Sequence, residues 1–131
     1  MERIHMRFLA TSWGDGGPKI QVSSAFMTLP RELREAGIWH EVGHVHHEHC
    51  FRHDFRNQAQ LTTARLKAIE EGQVLPMEVE ADRFAVARAG RDALIAFLQH
   101  ILSTRPTGGE LGWNDMGRRE LQIRIAAIEA L

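Results

Sequence analysis

Two short runs constrain this chain more than any other feature: His40-Glu41-Val42-Gly43-His44 and, well downstream, Glu78-Val79-Glu80-Ala81-Asp82. On a helix, positions four apart stand one turn apart on one face, so His40 and His44 can offer two imidazole nitrogens to a single metal ion. Glu41 lies beside them on the wheel, placed to hold a water at the metal without ligating it. A third ligand must then come from elsewhere in the chain, and the second run offers carboxylates. A fold that uses both runs has to bring two distant helices face to face.

Glu78 and Glu80 cannot both reach that ion from one helix, because two residues of separation put them about 200° apart. Glu78 shares its face with Asp82 and Ala85 and is flanked by Ala81, whose small side chains allow close helix packing. Glu80 faces the other way, beside Arg83 and Ala87. The reading is therefore His40, His44 and Glu78 as ligands of one Zn2+, with Glu41 as general base. Asp82, one turn from Glu78, can accept the free ring N–H of a ligand histidine, fixing its tautomer and raising its basicity. The competing reading of Asp82 is a surface pair with Arg83 or Arg88. Three protein ligands plus an open position describe a catalytic zinc site rather than a closed structural one.

Histidine is dense after this motif, at His46, His47, His49 and His53. His47, one turn beyond His44, is a candidate fourth ligand, and the whole segment could act as a metal sink. The plainer reading makes His49 a hydrogen-bonded core residue and leaves the others solvated, since a catalytic zinc needs no fourth protein ligand. Cys50 stands where an extended form of the motif puts its third ligand. That form needs a glycine in the intervening turn, and His47 holds the position. A buried free thiol is the expectation for Cys50.

With 131 residues, 44% hydrophobic and 25% charged, the chain reads as a single globular domain over 1–131. A formal charge of −1, with basic residues scattered, gives no reason to expect nucleic acid or an anionic membrane as partner. The one cysteine permits a reducing compartment. No stretch at the amino terminus reads as a signal peptide, and none has the ~20 apolar residues that cross a bilayer. The expectation is a cytoplasmic chain with no membrane partner.

Ile4, Met6, Phe8 and Ala10 alternate with polar residues, as do Ile20, Val22, Ser24 and Phe26, which reads as two antiparallel strands around a loop at Gly14 to Pro18. Pro30 suits the first turn of a helix running to about Arg52. In that helix Ile38, Val42, Val45 and His49 form one buried stripe, leaving His40, Glu41 and His44 beside it. Gly43 lets another backbone approach. Further helices are expected around Leu61 to Ile69 (ending at Gly72), from Pro76, over Leu94 to Leu102, and over Leu121 to Ile128, with a loop from Pro106 to Gly112.

At these residues the sequence resembles the gluzincins, zinc peptidases that pair HEXXH with a glutamate on a later helix. His40-Glu41-Val42-Gly43-His44-Val45 resembles the active-site helix of the prenyl-protease and heat-shock-peptidase family, and Glu78 to Ala85 with Ala89-Gly90 resembles its glutamate helix. Arg124-Ile125 is similar to its closing arginine motif, although Arg118-Arg119 stands where the family has a His-Pro pair. The lack of membrane helices is more like the minigluzincins. A second relative is the group of regulatory peptidases that cleave repressors, whose motif has asparagine where this chain has Asp82.

The fold this implies is α+β and zincin-like: a small, mainly antiparallel sheet packed on the active-site helix, with the Glu78 helix behind it and helices at the C-terminus. The strand from Ile20 to Phe26 would offer an edge for an extended substrate. The implied function is a zinc-dependent endopeptidase that hydrolyses peptides or unfolded proteins through a water activated by the metal and Glu41. The alternatives are a repressor-cleaving peptidase, or a non-catalytic metal-binding or interaction protein built on the histidine-rich helix. The chain has no tyrosine to stabilise a developing oxyanion, which makes Arg118 and Arg119 the candidates, with His100 behind them.

Overall fold

The computed structural model describes residues 9–14, 17–47, 58–108 and 113–131. Strands β1 (Leu9–Gly14) and β2 (Gly17–Val22) pair antiparallel, with Leu9 opposite Val22 and Gly14 opposite Gly17. The helices are α1 (Ser24–Met27), α2 (Arg31–His46), α3 (Gln58–Glu70), α4 (Pro76–Ala89), α5 (Arg91–Thr104) and α6 (Trp113–Glu129). Ile4, Met6 and Phe8 of the first expected strand, the end of the active-site helix at Arg52, and Gly109 to Gly112 of the loop lie outside the described residues.

The α+β expectation is overturned, because the body of the molecule is helical. Among the described residues the strands amount to a two-stranded ribbon. One hairpin cannot bury a face by itself, so it does not build a layer. The alternation from Ile20 to Phe26 breaks at Ser23, whose hydroxyl accepts from Phe26 N at 3.1 Å and caps α1. Phe26 therefore enters the core on a helical turn rather than on a strand; it is fully buried and meets Phe97 edge to face at 6.1 Å.

The main core gathers Phe26 and Leu29, Ala36 from α2, Ala85 from α4, Leu94, Phe97 and Leu98 from α5, and Leu121, Ile125 and Ile128 from α6. Each large side chain buried there contributes about 1.5–3 kcal/mol. A smaller cluster of Leu61, Leu75 and Met77 ties α3 to the start of α4. Pro30 is the residue just before α2, while Pro76 opens α4 from inside its first turn. Gly90, at φ 95°, ends α4 and lets α5 start at once in a new direction.

The buried face of α2 also differs from the expected stripe. Ile38 is 40% exposed and Val42 and Val45 are half-buried, while Ala36, Gly37, His40, Glu41, Gly43 and His44 are the buried residues; His49 lies outside the described residues. The reason is the contact with α4. A Cβ on Gly43 would stand 3.0 Å from Ala81 Cα and 3.1 Å from Phe84 Cβ, so the two helix backbones nearly touch there. Small residues on both sides, Gly43 facing fully buried Ala81, turn the histidine face inward. None of the described helices is long and apolar enough to cross a membrane.

Candidate metal centre

Helix α2 brings His40, Glu41 and His44, and α4 brings Glu78 and Asp82, into the interface that Gly43 and Ala81 close. All five are buried, with exposures between 4% and 8%. His40 Nε2 and His44 Nε2 lie 3.2 Å apart, His44 Nε2 is 2.9 Å from Glu78 Oε1, and His40 Nε2 is 3.9 Å from Glu78 Oε2. Ligands about 2.0–2.1 Å from a tetrahedral zinc stand roughly 3.4 Å from one another, and these separations bracket that value. The donor set thus fits one ion: His40, His44 and Glu78 form a group that could hold a metal.

Glu41 Oε2 is 3.8 Å from His40 Nε2 and 3.9 Å from His44 Nε2. Its carboxylate faces both ring nitrogens without displacing either. Glu41 thus stands beside the group of three rather than within it.

Behind His40, Asp82 Oδ1 lies 2.8 Å from Nδ1. Arg124 on α6 grips the same carboxylate with two donors, Nε to Oδ2 at 2.9 Å and Nη2 to Oδ1 at 2.7 Å. Arg124 Nη1 also stands 3.8 Å from Glu78 Oε2. Burial pushes the Asp82 carboxyl up, but the charge and hydrogen bonds of Arg124 and those of His40 outweigh it and hold Asp82 below its ordinary range. An ionised carboxylate only accepts, so His40 Nδ1 carries a proton, and Nε2 is the ring nitrogen that faces His44 and Glu78.

Burial, and then the charge of Arg124, work against a protonated His40, yet the hydrogen bond and charge of Asp82 and the charge of Glu78 leave its pKa raised. Burial also opposes ionisation of Glu78, but the His44 hydrogen bond, the histidine charges and Arg124 hold its carboxyl well below the usual value. Arg124 is raised despite burial, by Asp82 first and then Glu78 and Glu120. In the metal-free chain these groups neutralise one another, which is how so much charge can be buried.

The register read from the sequence holds for α4: Glu78 and Asp82 point into the group, and Glu80 stands on the far side, 3.5 Å from His47. His47 therefore lies away from the three candidate ligands, and His46 is exposed against the Phe84 ring. His49, Cys50 and His53 lie outside the described residues. Asp82 makes neither surface pair of the competing reading, since Arg83 is exposed and the Arg88 guanidinium sits 3.5 Å over the Phe84 ring.

Arg118 Nη1 donates to the carbonyls of Leu102 and Arg105 at 2.7 and 3.0 Å, closing the end of α5, and Arg119 is exposed. Neither is brought to the metal group. His100 is half-buried on α5. Sequence reasoning linked Arg124 only to a family motif and missed its grip on Asp82. A signal was present: Arg124 interrupts the apolar face of Leu121, Ile125 and Ile128, and all four are buried. A charge on a buried stripe demands a partner.

No protein-family model matches this sequence, and no curated protein or solved structure matches it.

Proposed function

We propose that the chain is a zinc-dependent endopeptidase acting on peptides or unfolded proteins. The observation that carries this reading is the placement of Glu41, whose carboxylate stands 3.8 and 3.9 Å from the two ring nitrogens of a convergent His40, His44 and Glu78 group. A metal store needs the ligands but not that carboxylate. Zinc held by the three residues would supply Lewis-acid polarisation of the substrate carbonyl and of a water.

The protein's own contributions follow from the geometry. Glu41 takes the proton from the attacking water and returns it to the leaving amine. Asp82 keeps the His40 proton on Nδ1, and Arg124 keeps Asp82 ionised and aligned. The close contact of α2 on α4 excludes water from the back of the site and fixes the ligand spacing.

The test separates binding from turnover. Glu41→Gln keeps the side chain's shape and removes the base, so it should bind about one zinc per chain while hydrolysis of unfolded casein falls by roughly a hundredfold or more. Metal content by mass spectrometry and release of labelled fragments measure the two. Undiminished turnover in this variant would remove Glu41 from the mechanism.

A further inference from the structure

Helix α6 carries a second, half-buried charge, Glu120, one turn before Arg124 and on the same side. Its side chain is 13% exposed, and its Oε2 lies 3.1 Å from Arg65 Nε on α3. The two atoms are close but misaligned, since both are buried and neither makes a hydrogen bond. Burial pushes the Glu120 carboxyl up and Arg65 opposes this, while Glu78 and Arg124 are near enough to act on it as well. Glu120 is the one partner of Arg65 among the described residues. A third of the Arg65 side chain remains open to solvent although its Nε is buried.

We propose that Arg65, positioned by Glu120, selects substrates that carry a carboxylate close to the scissile bond. This deepens the peptidase reading and rests on it. A guanidinium offers a planar fork of donors that matches a carboxylate, and the charge pairing with Glu120 at Nε leaves the outer donors for that purpose. Glu120 sits against the inner edge of the fork and keeps it near α6 by charge rather than by an aligned hydrogen bond. Arg124 Nη1 stands 3.8 Å from the ligand Glu78, and Glu120 is one helical turn, about 6 Å, further along α6. Arg65 Nε lies a further 3.1 Å beyond the Glu120 carboxylate, so an extended peptide covers the whole path from Glu78 in about four residues at ~3.3 Å each. The carboxylate belongs to an acidic side chain within about four residues of the cleaved bond, or to a free C-terminus within that distance.

The experiment uses the zinc-loaded full chain and synthetic peptides in matched pairs. In one series a single glutamate is walked along the peptide and compared with glutamine at each place; in the other a free C-terminus is compared with its amide. Dissociation constants are read by fluorescence anisotropy in the Glu41→Gln protein, and KM and kcat in the parent. One series should show a preference for the carboxylate of roughly fivefold to thirtyfold, in KM and not in kcat, and which series shows it identifies the source. Arg65→Ala should erase the preference and leave neutral peptides bound as before, Arg65→Lys should keep part of it, and Glu120→Gln should reduce it.

Equal affinity for the twins in the parent, or a preference unchanged in Arg65→Ala, overturns the proposal. So does equal weakening of charged and neutral twins in Arg65→Ala, the result expected of a plain tether between α3 and α6. A parent that shows the preference but cleaves nothing refutes the peptidase reading and upholds the anchor. A parent that binds no peptide overturns both.

Discussion

Two regions of this molecule are equally dry and held together by different physics. In the apolar core, Leu94, Phe97 and Leu98 are 0–4% exposed and meet side chains from every neighbouring helix. In the metal group, His40, Glu41, His44, Glu78, Asp82 and Arg124 are 4–8% exposed, and each charge is buried beside a complementary one. Apolar contact is non-directional, so removing one piece costs in proportion to what is removed. The polar group is linked: Arg124 serves Asp82, Asp82 serves His40, and His40 faces His44 and Glu78. Taking out one member leaves another buried without a partner.

That contrast predicts the largest effect for Arg124→Ala, which strands the Asp82 carboxylate. It should cost about 3–5 kcal/mol in metal-free chemical denaturation and weaken zinc binding by roughly tenfold to a hundredfold. Removing both charges together, as Asp82→Leu with Arg124→Met, should recover most of the stability and none of the zinc affinity. If the double variant is as unstable as the single one, the two side chains do not act as a pair.

Leu98→Ala is the matching cut in the core. A loss of about 2–4 kcal/mol is expected, with zinc affinity at the parent level once the protein is folded. A large drop in zinc affinity of the folded variant would show that the two regions are coupled rather than merely adjacent.

Protonation should separate them further. The raised pKa of His40 adds stability to the metal-free chain that is fully present below its ordinary value of 6.5 and is lost as pH rises through the folded value. Glu78 and Asp82 are lowered, so their contribution is present above ordinary carboxylate values and lost as pH falls through the folded ones. The metal-free protein is therefore expected to be most stable on the acidic side of neutrality, between those two losses. Zinc needs His40 without its second proton, so zinc affinity should run the other way, rising about tenfold per pH unit below the His40 pKa. Calorimetric zinc titrations and metal-free melting curves across this range check both slopes, and parallel slopes would refute the assignment of His40 as a ligand.

The smallest effect is expected at the hinge between the regions. Gly43→Ala gains about 1 kcal/mol of helix propensity but puts a Cβ 3.0 Å from Ala81 Cα, so α2 and α4 must part slightly. Stability should change by no more than about 1 kcal/mol, while zinc affinity falls several-fold because the ligands on the two helices move apart. Unaltered zinc binding would mean that the ligand side chains absorb the shift.

Much of the candidate site was legible because its logic is local. His40 and His44 are one turn apart, Glu41 adjoins them, and the wheel alone separates Glu78 and Asp82 from Glu80. The link from Asp82 to Arg124 was not legible in the same way, because no metal-ligand motif ties α6 to α4 and the pairing exists only where those two surfaces meet. The face of α2 was misread for a related reason. Ile38, Val42 and Val45 are the apolar choice, but hydrophobicity does not reveal that Gly43 and Ala81 will bring two backbones together with the histidines between them. Phe26 shows the same limit on a smaller scale, since an alternating pattern cannot tell a strand from a capped turn that delivers one ring to the core.

By itself, then, the sequence determined which side chains can share one ion, through the periodicity of two helices, and roughly where several helices lie, through Pro76, Gly72 and the apolar runs. Only the tertiary structure decided that the face carrying His40 and His44 is the buried face, that Arg124 completes the Asp82–His40 link, and that Arg118 closes the end of α5. It also decided that the strands remain a ribbon on a helical body. The physical reason is range: helical periodicity acts over one turn and can be counted along the chain, whereas desolvation and charge pairing depend on which distant surfaces meet.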